Sequence, residues 1–137
     1  MLGDGNPNAG TKGSNFRYQY ATLKLLEDIK LNTAIINLTT SQTGIVAHAG
    51  GGQADATQLT AAYNRVDTIA SDGDSVKVGF AVVNARYVVQ NNGANALDVF
   101  PMPGDHFLGQ ADNTAFSVAA GNMLVVFCFT NGEWTPQ

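Results

Sequence analysis

YNRVDTIASDGDSVKVGFAVVNARYVVQNNGANALDVF, residues 63–100, is the stretch that decides the fold class. Tyr63, Arg65, Asp67 and Ile69 fall on one parity and Asn64, Val66, Thr68 and Ala70 on the other, the two-residue period of an extended strand. Ser71-Asp72-Gly73-Asp74 follows as a turn, with Gly73 supplying the positive φ such turns need. Ser75–Val83 and Asn84–Gln90 read as further strands. Asn91-Asn92-Gly93-Ala94-Asn95 then reads as a hairpin turn onto Ala96–Phe100.

Outward from this stretch the texture stays extended. Before it lie an Ile-, Leu- and Thr-rich run over 34–40, a Gly- and Ala-rich loop over 47–56 and a short candidate strand over 57–60. After it, Pro101-Met102-Pro103-Gly104-Asp105 breaks the pattern, and Phe107, Ala115–Val118 and Met123–Thr130 resume it. Asn131-Gly132-Glu133 turns toward a last strand at Trp134. Met123–Phe129 is apolar on both parities, so this strand should be central or covered by another subunit. Many short strands with close turn signals, and no helix between them long enough for a parallel crossover, predict a mainly β domain over 33–137. Its expected form is an antiparallel β-sandwich or barrel of jelly-roll-like type.

The leading residues differ. Residues 1–14 hold Gly, Asn and Pro with almost nothing to bury, which fits either a disordered tail or an extended arm that orders against a neighbour. Ser14 or Asn15 can cap an amphipathic helix over 15–32, in which Phe16, Tyr20, Leu23 and Leu26 recur at three- and four-residue steps. That stripe can pack on its own β domain or on the same helix in symmetry-related copies. The expected architecture is therefore a β domain with an N-terminal arm and one N-terminal α-helix.

Composition narrows the function classes. Charged residues make up 13% of the chain, against about 25% in an average domain, while hydrophobic residues make up 45%. A neutral surface of this kind suits flat contacts between subunits better than steering of an ionic substrate. The formal charge is −4, and its cations are scattered, which argues against a nucleic-acid partner. No apolar run approaches the about 20 residues of a membrane-spanning helix. The start lacks the basic flank and apolar centre of a secretory signal, and the single Cys128 permits no intrachain disulfide; both predict synthesis in a reducing cytoplasm.

Chemistry-bearing motifs are sparse. His48 and His106 lie far apart with no second ligand at metal spacing. Asp72-Gly73-Asp74 offers two oxygen ligands where calcium needs six to eight, so a turn is the simpler reading. Gly50-Gly51-Gly52 lacks the phosphate-loop spacing. Cys128 sits in an apolar strand, the setting of an inert packed thiol. Trp134 reads as an aromatic closing the core, with a sugar-stacking platform as the other reading. No catalytic residue and no cofactor is predicted.

Asn91–Pro101, His106-Phe107-Leu108-Gly109, Asn113–Gly121 and the closing Phe127–Trp134 together resemble a β module of tailed-bacteriophage virion proteins, over roughly residues 57–134. Gly5–Phe16 is similar to the opening of short phage structural proteins. The resemblance implies a virion component, made in the bacterial host cytoplasm. Its first form is a homotrimeric capsid decoration or cement protein that binds the major capsid protein or other virion proteins. The other is a tail, fibre or host-glycan-binding module, with Trp134, Tyr87 or the 47–56 loop meeting the glycan. For the first form the expected contact residues are Asn6, Pro7, Phe16, Tyr18, Tyr20 and Leu23.

Overall fold

The computed structural model describes residues 40–137. The arm expected over 1–14 and the helix expected over 15–32 lie outside these residues. Among the described residues there are ten strands and no helix: β1 (Ser41–Val46), β2 (Thr57–Gln58), β3 (Tyr63–Thr68), β4 (Asp74–Lys77), β5 (Arg86–Asn91), β6 (Leu97–Phe100), β7 (His106–Phe107), β8 (Phe116–Val118), β9 (Met123–Thr130) and β10 (Glu133–Pro136).

From β1 to β6 the chain changes sheet at every strand. β1, β3 and β5 stack parallel in one sheet, with Ser41 opposite Tyr63 and Tyr63 opposite Val88. The other sheet stacks β2, β4 and β6 parallel, with Thr57 opposite Val76 and Val76 opposite Val99. This is a β-solenoid-like coil whose successive rungs lie side by side. The last four strands close it: β8 pairs antiparallel with β6, β9 antiparallel with β5, and β10 joins β9 to β7. The sheets end as β1-β3-β5-β9-β10-β7 and β2-β4-β6-β8.

This overturns the antiparallel sandwich or barrel, and with it the jelly-roll-like topology. Parallel neighbours need a long connection, and the sequence offered no helix to make one. Here the connection is a strand of the opposite sheet: β2 lies between β1 and β3, and β4 between β3 and β5. The turn read as a hairpin at Asn91–Asn95 is corrected for the same reason. β5 and β6 belong to different sheets, so this turn is a corner of the coil.

Corners are held by short polar side chains that take over backbone groups the ladders cannot reach. Asp74, 2% exposed, accepts from the amides of Ala70, Ser71 and Gly50. Asn91, fully buried, donates to the carbonyls of Asn95 and Val118 and accepts from the Gly93 amide. Buried backbone groups without partners are costly, so these brackets let the chain turn inside the protein. Gly51 has φ +71°, and a Cβ there would stand 2.9 Å from the Gly73 carbonyl oxygen. The Gly-rich loop thus lies against the next corner.

Between the sheets lies one core. Val66 and Val89 from the first sheet meet Val76, Leu97 and Val99 from the second, all buried. Phe107 and Trp134, both fully buried, extend this core beneath the closing strands, and Trp134 meets Tyr87 edge-on at 5.5 Å.

Candidate interaction surface

β9 is apolar on both of its faces, and the two faces have different fates. Leu124, Val126 and Cys128 point inward and are buried. Met123, Val125, Phe127 and Phe129 occupy the opposite parity, where Met123 is 55% and Phe129 68% exposed. Ladder register carries this outer strip across the sheet: Phe127 lies opposite Arg86, Val125 opposite Val88, and Val88 opposite Tyr63. The strand is central, between β5 and β10, and its outer side carries exposed aromatic and aliphatic groups.

One cation sits within the strip. The Arg86 guanidinium lies 5.0 Å from the Tyr63 ring centroid and 5.6 Å from that of Phe127. Such contacts attract through the ring quadrupole and keep the guanidinium beside the two rings. Arg86 Nε is buried without an acceptor. The Phe127 and Phe129 ring centroids stand 6.3 Å apart, and Phe80, Val82 and Val83 of the β4–β5 connection are exposed as well. That connection is tied to the end of β9 by bonds from the Asn84 amide to the Cys128 carbonyl and from the Val83 amide to Asn131 Oδ1.

Overlapping the strip at Tyr63 and Met123, an open groove of about 280 Å³ across β1, β3, β5 and the start of β9 is lined also by Ser41, Gln42, Arg65 and Gln90. Its charges cancel locally. Arg65 Nε donates to Asp67 at 2.9 Å, and the same carboxylate accepts from the Gly44 amide and from Asn92. These bonds, the Gly44 amide foremost, hold the Asp67 carboxyl below its ordinary pKa.

The residues that drew attention in the sequence are mostly structural. Trp134 and Tyr87 are buried, which removes both from the glycan-contact role considered for them. The Cys128 thiol is buried and pushed up in pKa by that burial, the state of a packed, unactivated thiol. His48 forms an isolated bridge with Ser75. His106 lies between Asp112, 3.2 Å from Nδ1, and Glu133, 3.3 Å from Nε2. Asp72 accepts from the Ala96 amide, so Asp72-Gly73-Asp74 is a corner bracket. No group of three or more His, Cys, Asp or Glu side chains among the described residues is arranged to hold a metal ion. Asn6, Pro7, Phe16, Tyr18, Tyr20 and Leu23 lie outside the described residues.

Comparison with protein families, with curated proteins and with solved structures returns no match. The strip around Arg86 was not singled out from sequence. Its signal was present in β9, whose two apolar parities read as a strand either central or covered by another subunit.

Proposed function

We propose that this chain is a non-enzymatic assembly module of a tailed-phage particle, used as a homotrimeric capsid decoration protein. The observation that carries the assembly reading is the apolar outer side of β9, with Met123 and Phe129 exposed and Phe127 half-buried between them, on a face built from paired strands, together with exposed Phe80, Val82 and Val83 on the connection tied to the end of that strand. Contiguous exposed apolar surface of this kind marks a site of protein contact. The phage address rests on the sequence resemblance over residues 57–134 and on the low charge of the chain.

A decoration protein works by mass action. Binding the assembled lattice, and not its separated parts, shifts the equilibrium toward the intact shell. A solenoid suits this task, because its ladders fix the shape of the contact face and little ordering entropy is left to lose on docking. Copies per particle, counted by mass spectrometry of purified virions, test the reading. Hundreds of copies support decoration of the shell. A handful would move the protein to the tail or a fibre, and none would remove it from the particle. Deleting residues 1–14 should weaken occupancy on shells while leaving the thermal transition of the β domain in place.

A further inference from the structure

We infer that His106 is a pH-operated clasp on the closing strands: as an imidazolium it holds the loop between β7 and β8 through Asp112, and on losing a proton it releases that loop. The inference is independent of the assembly reading above.

The number of protons decides what this geometry can do. His106 Nδ1 lies 3.2 Å from Asp112 Oδ1 and Nε2 lies 3.3 Å from Glu133 Oε2, so a carboxylate stands at each nitrogen of one ring. An ionised carboxylate only accepts, and a neutral imidazole carries a single N–H. With one proton on the ring, the other nitrogen would turn its lone pair toward a negatively charged oxygen. Both contacts are attractive at once only when both nitrogens are protonated.

No other cation among the described residues serves these carboxylates. The Lys and Arg side chains there are Arg65, Lys77 and Arg86. Arg65 is paired with Asp67, Lys77 donates to the Gln53 carbonyl, and Arg86 lies beside Tyr63 and Phe127. Glu133 reaches the ring from β10, where it stands directly opposite His106 in the ladder, and Asp112 reaches it from the loop. Asp105, the preceding residue, turns Oδ2 to the Ala81 amide, and the Cys128 thiol, pushed up by burial, stays uncharged.

Burial decides which contact is given up. The Glu133 side chain is 27% exposed and is fixed by the β7–β10 ladder, whereas that of Asp112 is 65% exposed. Losing a donor costs more at the less hydrated carboxylate, so the remaining proton stays on Nε2 and Asp112 is released to water. The loop is otherwise tied by the Gln110, Asn113 and Thr114 amides, which donate to the carbonyls of Phe107, Asp105 and Ala111, and by Asn113 Oδ1, which accepts from the Gly104 amide. Because the folded state favours the protonated ring, the clasp is present at the acid end of the histidine range and lost as pH rises through it.

Native-state hydrogen exchange of the full chain at about pH 5 and about pH 8, corrected for the intrinsic exchange rate, is the test. Protection of the Gln110, Asn113 and Thr114 amides should fall about threefold or more on going to the higher pH. The Val78 and Val88 amides, bonded to the Phe100 and Ala62 carbonyls, should hold theirs. His106→Gln and Asp112→Ala should each erase the difference, leaving the loop at its high-pH level. Asp112 is mostly exposed, so its variant keeps the test open even where His106→Gln fails to fold. Loop protection that is equal at the two pH values overturns the inference. So does a fall shared by Val78 and Val88, which would be a global effect, or a fall that persists in Asp112→Ala.

Discussion

The coil of β1 to β6 and the closing strands β7 to β10 hold themselves together by different means. In the coil the ladders are parallel, the core side chains are mainly valine and leucine, and corners are bracketed by Asp74 and Asn91 through bonds to main-chain groups. In the closing half β9 runs antiparallel to both of its neighbours, and two large aromatics, Phe107 and Trp134, fill the space beneath. A parallel coil can accept another rung at its open edge. Antiparallel pairing by β8 and β9 ends that repetition, and the aromatics extend the core beneath the closing strands.

The largest effect should come from the closing half. Trp134→Ala removes the largest fully buried side chain and should cost about 3–5 kcal/mol, read from urea unfolding. Asn91→Ala, in the coil, leaves the carbonyls of Asn95 and Val118 and the Gly93 amide without their side-chain partner, and should cost about 1–3 kcal/mol. If Asn91→Ala proved the more damaging, the polar corners and not the aromatic plug would be the main anchor, and the contrast between the halves would reverse.

Acid should act on the coil first. Asp74 is held below its ordinary pKa by main-chain donors, the Ser71 amide foremost, and Asp67 by the Gly44 amide foremost. A carboxyl depressed in the folded state contributes stability that is present above its unfolded value, near 3.9, and is lost as pH falls through the folded value. Unfolding midpoints should therefore drop as pH is lowered below about 4. Asp74→Asn should reduce that slope. An unchanged slope would mean that the corner bonds survive protonation. No comparable dependence is expected from the plug, where Trp134, Phe107 and Phe116 have no charge to titrate.

Strand positions were legible in the sequence wherever alternation was clean. Tyr63–Thr68 forms β3 within the run read over 63–70, and Met123–Thr130 forms β9 as read. Pairing was not legible. A hairpin turn and a solenoid corner draw on the same residues, as Asn91-Asn92-Gly93-Ala94-Asn95 illustrates: Gly93 packs against Ile69 and Asn91 turns its side chain inward, and both depend on contacts distant in sequence. β1 was missed because Ser41-Gln42-Thr43-Gly44 is polar and exposed, an edge strand defined by its pairing with β3. The strip was half visible. Met123–Phe129 announced an uncovered apolar side, but its junction with Tyr63, Arg86 and the β4–β5 connection exists only once β5 lies beside β9.

The smallest effect sharpens the contrast within a single strand. β9 closes the core with Leu124, Val126 and Cys128, and on the other parity carries the strip. Phe129→Ser removes a large apolar side chain that is 68% exposed, so little burial is lost and no cavity opens. Its effect on unfolding of the monomer should stay within about 0.5 kcal/mol. Cys128→Ser, one residue away and pointing inward, replaces a packed thiol with a hydroxyl that prefers water, and should be the more destabilising although it changes fewer atoms. Equilibrium denaturation of the two variants at a concentration where the chain is monomeric compares the sides directly. Equal losses would show that the outer side of β9 already contributes to monomer stability, which a surface reserved for a neighbour should not do.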